Sequence, residues 1–263
     1  MYYKELLRAA RALRVLGILL LVAIAIAVVV NLLGDGQQGH VNVVVGASVG
    51  AAAQVTSADQ RFPLSLLFAI AGVVATIFAG TFGASLACEN DGHLDVAFTR
   101  PASRTRYAVT LMLMDIAGIA VAFVMSVAAG FIIVTATGAW KLFAIDADAW
   151  QNLLRFLLLP VSCYGLWQAL TASLRSQARW VVGVSVIVSV MLLGLDAAVD
   201  RGAWHTILAA VNYINPLVYG TYQTDRPLLQ YPFAYWQLNV AALAVLGGVG
   251  IAAALAQWRR VEA

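Results

Sequence analysis

Six apolar runs, each near the length needed to cross a bilayer, constrain this chain more than any other feature. A helical span needs about 20 mostly apolar residues to cross a hydrocarbon core of about 30 Å. The runs are Val15–Leu33, Leu64–Cys88, Ala108–Thr137, Leu153–Leu174, Trp180–Leu195 and Trp236–Gln257. The fifth has only sixteen residues before Asp196, so it tilts little or thins the bilayer locally. Across 263 residues, 62% are apolar and 11% charged, against about 45–50% and about 25% in soluble domains. That excess rules out a water-soluble fold, a disordered chain, collagen and a disulfide scaffold. The expected fold is all-α, a polytopic membrane protein in which residues 1–263 form a single transmembrane domain. Cys88 and Cys163 lie inside apolar runs and read as packed small hydrophobes, not as a disulfide pair.

Basic residues orient the spans, because Lys and Arg resist translocation. With the N-terminus in the cytoplasm, the inside segments hold Lys4, Arg8, Arg11, Arg14, Arg100, Arg104, Arg106, Arg175, Arg179, Arg259 and Arg260. Those are eleven of the sixteen basic residues, and seven aspartates fall on the opposite side. Both termini are therefore expected in the cytoplasm, in the cell's inner membrane. The first run follows a basic segment, as in a signal peptide, but its nineteen residues exceed the usual h-region of about 7–15. It is read as a span.

Residues 2–14 place Lys4, Arg8 and Arg11 at helical spacing opposite Tyr3, Leu6, Ala10 and Leu13. This suits an interfacial amphipathic helix with its basic side on anionic lipid, or an extension of the first span. The stretch 41–55 is apolar but too short for an ordinary span, and it suits an external helix, a strand-like cap or a re-entrant piece. Residues 196–235 read as an outside segment rich in Tyr, with Trp204, Asn212, Asn215 and Pro216, whose aromatic residues suit interface anchors or a lid. Small residues recur every fourth position at Gly72, Thr76, Gly80, Ala84 and Cys88, and again at Gly118, Ala122, Ser126 and Gly130. Such stripes let helices approach closely, either within one subunit, across a dimer interface or along a translocation path.

The familiar chemistry of enzymes is missing from the sequence. There is no G-x-x-x-x-G-K-[ST] phosphate loop, no H-E-x-x-H, no G-x-S-x-G, and His40, His93 and His205 lack metal-ligand spacing. No catalytic residue, metal or cofactor is assigned to the chain, and the basic residues form no nucleic-acid-binding face. Asp115 is the one acid clearly inside a span. Such residues mark ion or proton paths by default, but this one can also reach the interface or pair with Arg104 or Arg106.

The most distinctive polar segment is residues 83–107, between spans two and three. Glu89 closes an apolar helix. Gly92, His93 and Leu94 follow, then an apolar patch, then Pro101, Ser103, Arg104 and Tyr107. A short helix across the end of a span, followed by a basic return, offers a docking knob to a cytoplasmic partner, or is simply a solvated hairpin. This succession resembles the permeases of the type 2 ABC exporter family, with Gly92-His93 where the family often has Gly-Thr. Asp115 departs from it, near where many members carry a Lys. The six spans, the N-terminal helix, Asn215–Tyr219 before the last span and the terminal Arg259-Arg260 agree with it.

The resemblance implies that this loop is a coupling helix seated on a separate cytoplasmic ATPase subunit. Two ATPase copies, with ATP and Mg bound there, would drive two permease subunits. It also implies that Glu89 bonds Arg8 and Arg11. With few charged residues on the spans, an amphipathic or lipid-like substrate moved outward fits best. The competing readings are a nucleotide-independent secondary transporter or channel, and a membrane scaffold or sensor that recruits a partner through the same loop.

Overall fold

The structure, a computed structural model, describes residues 2–33, 62–89, 104–138, 140, 143–145, 147–174, 177–198, 202–220 and 235–260. In chain order the elements are α1 (Tyr2–Leu33), β1 (Phe62–Pro63), α2 (Leu64–Phe82), α3 (Ser85–Glu89) and α4 (Arg104–Ala136). They continue with β2 (Phe143–Ala144), α5 (Ala149–Thr171), α6 (Ala178–Ala198), α7 (Ala203–Asn212), a 3-10 turn (Pro216–Gly220) and α8 (Trp236–Arg260). Six helices are long and apolar enough to cross a membrane: Leu6–Val29, Leu64–Ala87, Thr105–Ala136, Ala149–Thr171, Ala178–Leu195 and Trp236–Arg260. They match the six runs read from sequence to within a few residues, except that the first begins at Leu6, ahead of Val15. Residues 2–14 belong to the same unbroken helix as the first span. Extension of that span describes them better than a separate helix lying across it.

The spans pack in a row whose order differs from the chain. α1 packs on α4, α4 on α2, α2 on α5 and α5 on α8, while α6 rests against α5 and the 3-10 turn. Hydrogen bonds fix the directions. Asn152 of α5 bonds Ser65 of α2 near their starts, and Gln168 bonds the Phe82 carbonyl near their ends, so the two run parallel. α8 runs parallel to both, with Ser162 donating to the Leu243 carbonyl at 2.6 Å and Gln257 to the Ala169 carbonyl at 2.8 Å. The two strands pair in parallel at the other end of the bundle from residues 2 and 260.

Lipid gives helices no hydrophobic reason to associate, so close backbone contact carries the packing. A Cβ on Gly72 would lie 2.9 Å from Phe156 Cβ and 3.1 Å from the Phe156 carbonyl oxygen. That carbonyl is the one whose helical donor is lost at Pro160, four residues on. Gly165, Gly247 and Gly250 interlock α5 with α8 backbone to backbone. Gly118, Ala122 and Ser126 are likewise buried between helices of this one chain. The stripe that sequence spacing did not single out, on α8, therefore makes the closest backbone-to-backbone seam among the described glycines.

Two segments depart from regular helix. Span two breaks after Phe82, with Gly83 and Ala84 forming a turn before α3. Beyond α6, Gly202 takes a left-handed φ of 97°, which turns the chain into α7. Asn215 then donates through Nδ2 to the Ser189 carbonyl at 3.0 Å. Ser189 lies nine residues before the end of α6, or about 14 Å back along the helix at ~1.5 Å per residue. The segment therefore doubles back to the middle of α6. Within the segment read as outside, residues 203–220 thus fold back along α6. Ten residues of α7 are too few to register as a span, and Asn215 and Tyr219 after it are buried and hydrogen-bonded within the protein. The stretch 41–55, Tyr222, Tyr231 and the 90–103 segment, with Gly92, His93, Leu94, Pro101 and Ser103, lie outside the described residues.

Candidate functional site

The polar centre of the molecule is built around Asp115, fully buried eleven residues into α4. Its Oδ1 accepts from Arg8 Nη2 at 2.8 Å, and that pair is also an ion pair. Its Oδ2 accepts from Ser85 Oγ at 2.6 Å and from Tyr164 OH at 2.9 Å. Gln168 Nε2 donates to Ser85 Oγ at 2.6 Å and to the Phe82 carbonyl at 2.7 Å. Thr171 Oγ1 donates to the Gly83 carbonyl at 2.8 Å. The Arg8 guanidinium also lies over the Phe82 ring, 5.5 Å from its centroid. One carboxylate thus ties together α1, α4 and α5 and the break between α2 and α3.

Each partner is placed by its own helix. Tyr164, Gln168 and Thr171 recur at a spacing of about one turn, so they share one face of α5. The turn at Gly83 and Ala84 frees carbonyls that water cannot reach, and Gln168 and Thr171 supply the donors. A break at membrane depth is tolerable on that condition. Asp115 has both oxygens occupied by donors from three other elements. A carboxylate held by three donors from separate elements acts as a fastening between them. Among the described residues no cluster of His, Cys, Asp or Glu suits a metal ion.

Thr171 offers a direct check. Thr171→Val is expected to cost about 1–3 kcal/mol, because it withdraws a donor from a buried carbonyl. Thermal unfolding of the purified protein measures it. Thr110→Val is the control, since Thr110 Oγ1 only bonds its own helix at the Arg106 carbonyl and is exposed; it should leave stability unchanged.

A second polar group lies at the tip of the doubled-back segment. Asn212, Asn215 and Tyr219 are all buried. Asn215 Oδ1 accepts from the Leu217 N–H at 3.2 Å, and Tyr219 OH donates to the Tyr213 carbonyl at 2.9 Å. Leu217 then reaches a shallow hollow of about 180 Å³, shared with Thr76, Ile77, Gly80, Trp167 and Val186. Its walls are almost wholly apolar, and Ile77 stands exposed at its edge.

Sequence reasoning named many of these residues, but grouped them differently. For Asp115 the sequence leaves open an ion or proton path, a reach to the interface or a pairing with Arg104 or Arg106; in the structure Arg8 pairs with it, because α1 runs parallel to α4 and brings Arg8 level with it. The side chains of Lys4, Glu89 and Arg104 lie outside the described residues, while Arg11 is exposed. Gly72, Gly118, Ala122 and Ser126 pack within the bundle; Thr76 and Gly80 border the hollow. Ser85, Tyr164, Gln168 and Thr171 were missed. The available signal was three polar residues at helical spacing in an otherwise apolar run. Compared with protein-family models, curated proteins and solved structures, the chain matches none.

Proposed function

We propose that this chain is the membrane-spanning permease subunit of an ATP-driven exporter, coupled to a separate cytoplasmic ATPase subunit through the loop after α3. The observation that carries this reading is the position of the Asp115 centre relative to that loop. Ser85 lies four residues before Glu89, and Asp115 eight residues after Tyr107. The two are bonded to each other; Asp115 is also bonded to Arg8 of α1 and Tyr164 of α5, and Ser85 to Gln168 of α5. A push delivered anywhere between them therefore enters the bundle through a single joint. On this reading the loop residues Glu89, Gly92, His93, Leu94, Pro101, Ser103 and Arg104 meet the ATPase. The termini are cytoplasmic, the membrane is the inner one, and two permease copies enclose the path. The substrate is amphipathic or lipid-like, in keeping with the apolar hollow beside Thr76 and Gly80.

A nucleotide-independent transporter or channel is the second reading. It is favoured by the broken span beside a buried acid and by the segment that doubles back beside α6, since interrupted helices at membrane depth are typical of such proteins. Purification from the native membrane separates the two. The exporter reading predicts a co-purifying subunit with a phosphate loop, whose ATPase activity disappears when residues 93–104 are scrambled although the permease still assembles. A partner-free, ATP-indifferent protein would sink it.

A further inference from the structure

We propose that the Asp115 centre is one cooperative switch element, in which the first turns of α1 and the broken end of span two open and close together. Two observations carry this. First, both are fastened to the same carboxylate: Arg8 fills Oδ1, and Ser85 shares Oδ2 with Tyr164. The Ser85 hydroxyl donates to Asp115 while accepting from Gln168, so each bond polarises the next. Withdrawal of any donor leaves a buried charge short of partners and weakens the remaining bonds. Second, the helix is already interrupted at this level. Gly83 and Ala84 interrupt the helix, and the Phe82 and Gly83 carbonyls are held by side chains of α5. In a continuous helix those carbonyls would receive the backbone N–H groups of Leu86 and Ala87. The same carbonyls thus have two alternative sets of donors, and the fastening at Asp115 selects one.

α1 depends on this joint in a particular way. Of the described elements it packs mainly on α4, and Leu16 and Gly17, facing Met125, continue the contact beyond Arg8. Release of Arg8 loosens the first turns of α1, where Leu6, Leu7 and Arg11 are exposed and Ala9 is buried, while the seam through Leu13, Leu16 and Gly17 holds. The inference concerns the mechanics of this bundle and stands whether or not an ATPase drives it.

Amide hydrogen exchange on the full chain in lipid nanodiscs tests it. Arg8→Gln should speed exchange at residues 84–88, and Gln168→Leu should speed exchange at residues 6–12, each by about tenfold or more. Those are the elements that do not carry the substitution. Acceleration confined to the substituted element overturns the proposal. The wild type supplies the same test without any variant. In a denaturant series, exchange at 6–12 and at 84–88 should converge on one opening free energy, and two separate values would refute it.

Discussion

Gly250→Ala is expected to strip the protein of a large part of its stability, whereas Gly248→Ala, two residues away, leaves it unchanged or slightly higher. A methyl group on Gly250 would run into the Gly165 carbonyl group and lie 2.8 Å from the Leu166 nitrogen. All are backbone atoms of α5 and have no rotamer through which to retreat. α5 and α8 must then separate along their whole seam, which loosens the contact of Gly247 with Ser162 and the bond from Ser162 to the Leu243 carbonyl. Overpacking of this kind costs about 1–3 kcal/mol where side chains can adapt, and more where they cannot. At Gly248 nothing lies within 4 Å, and alanine is the better helix former by up to ~1 kcal/mol in water. Thermal unfolding of the three proteins, with size-exclusion profiles to report folding, reads the contrast. Gly250→Leu should yield no monodisperse protein. Equal melting for the two alanine variants would refute the backbone-contact account of the seam.

The second large effect lies at the Arg8–Asp115 pair, and it is unequal. Asp115 is buried, but a third of the Arg8 side chain reaches the surface. Arg8→Leu leaves a buried carboxylate without its counter-charge, held only by Ser85 and Tyr164, at an expected cost of about 3–5 kcal/mol. Asp115→Leu leaves a guanidinium that can swing outward on its long stem, so its cost should be clearly smaller. The double variant should be more stable than Arg8→Leu alone, because removal of both charges relieves the buried one. Unfolding of all four proteins in the same nanodiscs provides the double-mutant cycle. Additive effects, or a larger loss for Asp115→Leu, would show that the pair is not the fastening argued here.

The spans were legible in the sequence because their signal is bulk hydropathy over about 20 residues, which a few polar side chains cannot erase. The partnering was not. Which of Arg8, Arg104 and Arg106 faces Asp115 depends on α1 lying parallel to α4, a fact of the row order 1-3-2-4-6 that no local pattern encodes. Leu246-Gly247-Gly248-Val249-Gly250 makes the same point at smaller scale. Its glycines look alike in sequence, yet two meet backbone and one meets nothing. The doubled-back segment escaped for a third reason. α7 is only ten residues long, so its apolar face resembles an interface anchor until Asn215 is seen bonded halfway along α6. Gln168 and Thr171 read as polar interruptions of a span; their purpose is visible only beside the broken end of another helix.

The caps on that broken end also set an order of assembly. Gln168 and Thr171 lie 86 and 88 residues downstream of the carbonyls they satisfy. At a synthesis rate of ~5–20 residues per second, span two waits roughly 4–17 s for them after it emerges from the ribosome. During that interval the Phe82 and Gly83 carbonyls have no donor from span four, and the newborn span has reason to stay straight or to hold its end in the headgroup layer. The bend is thus acquired late, when span four enters. Any slowing of translation across residues 90–165 lengthens the period in which the nascent chain can be captured by the machinery that clears unfinished membrane proteins.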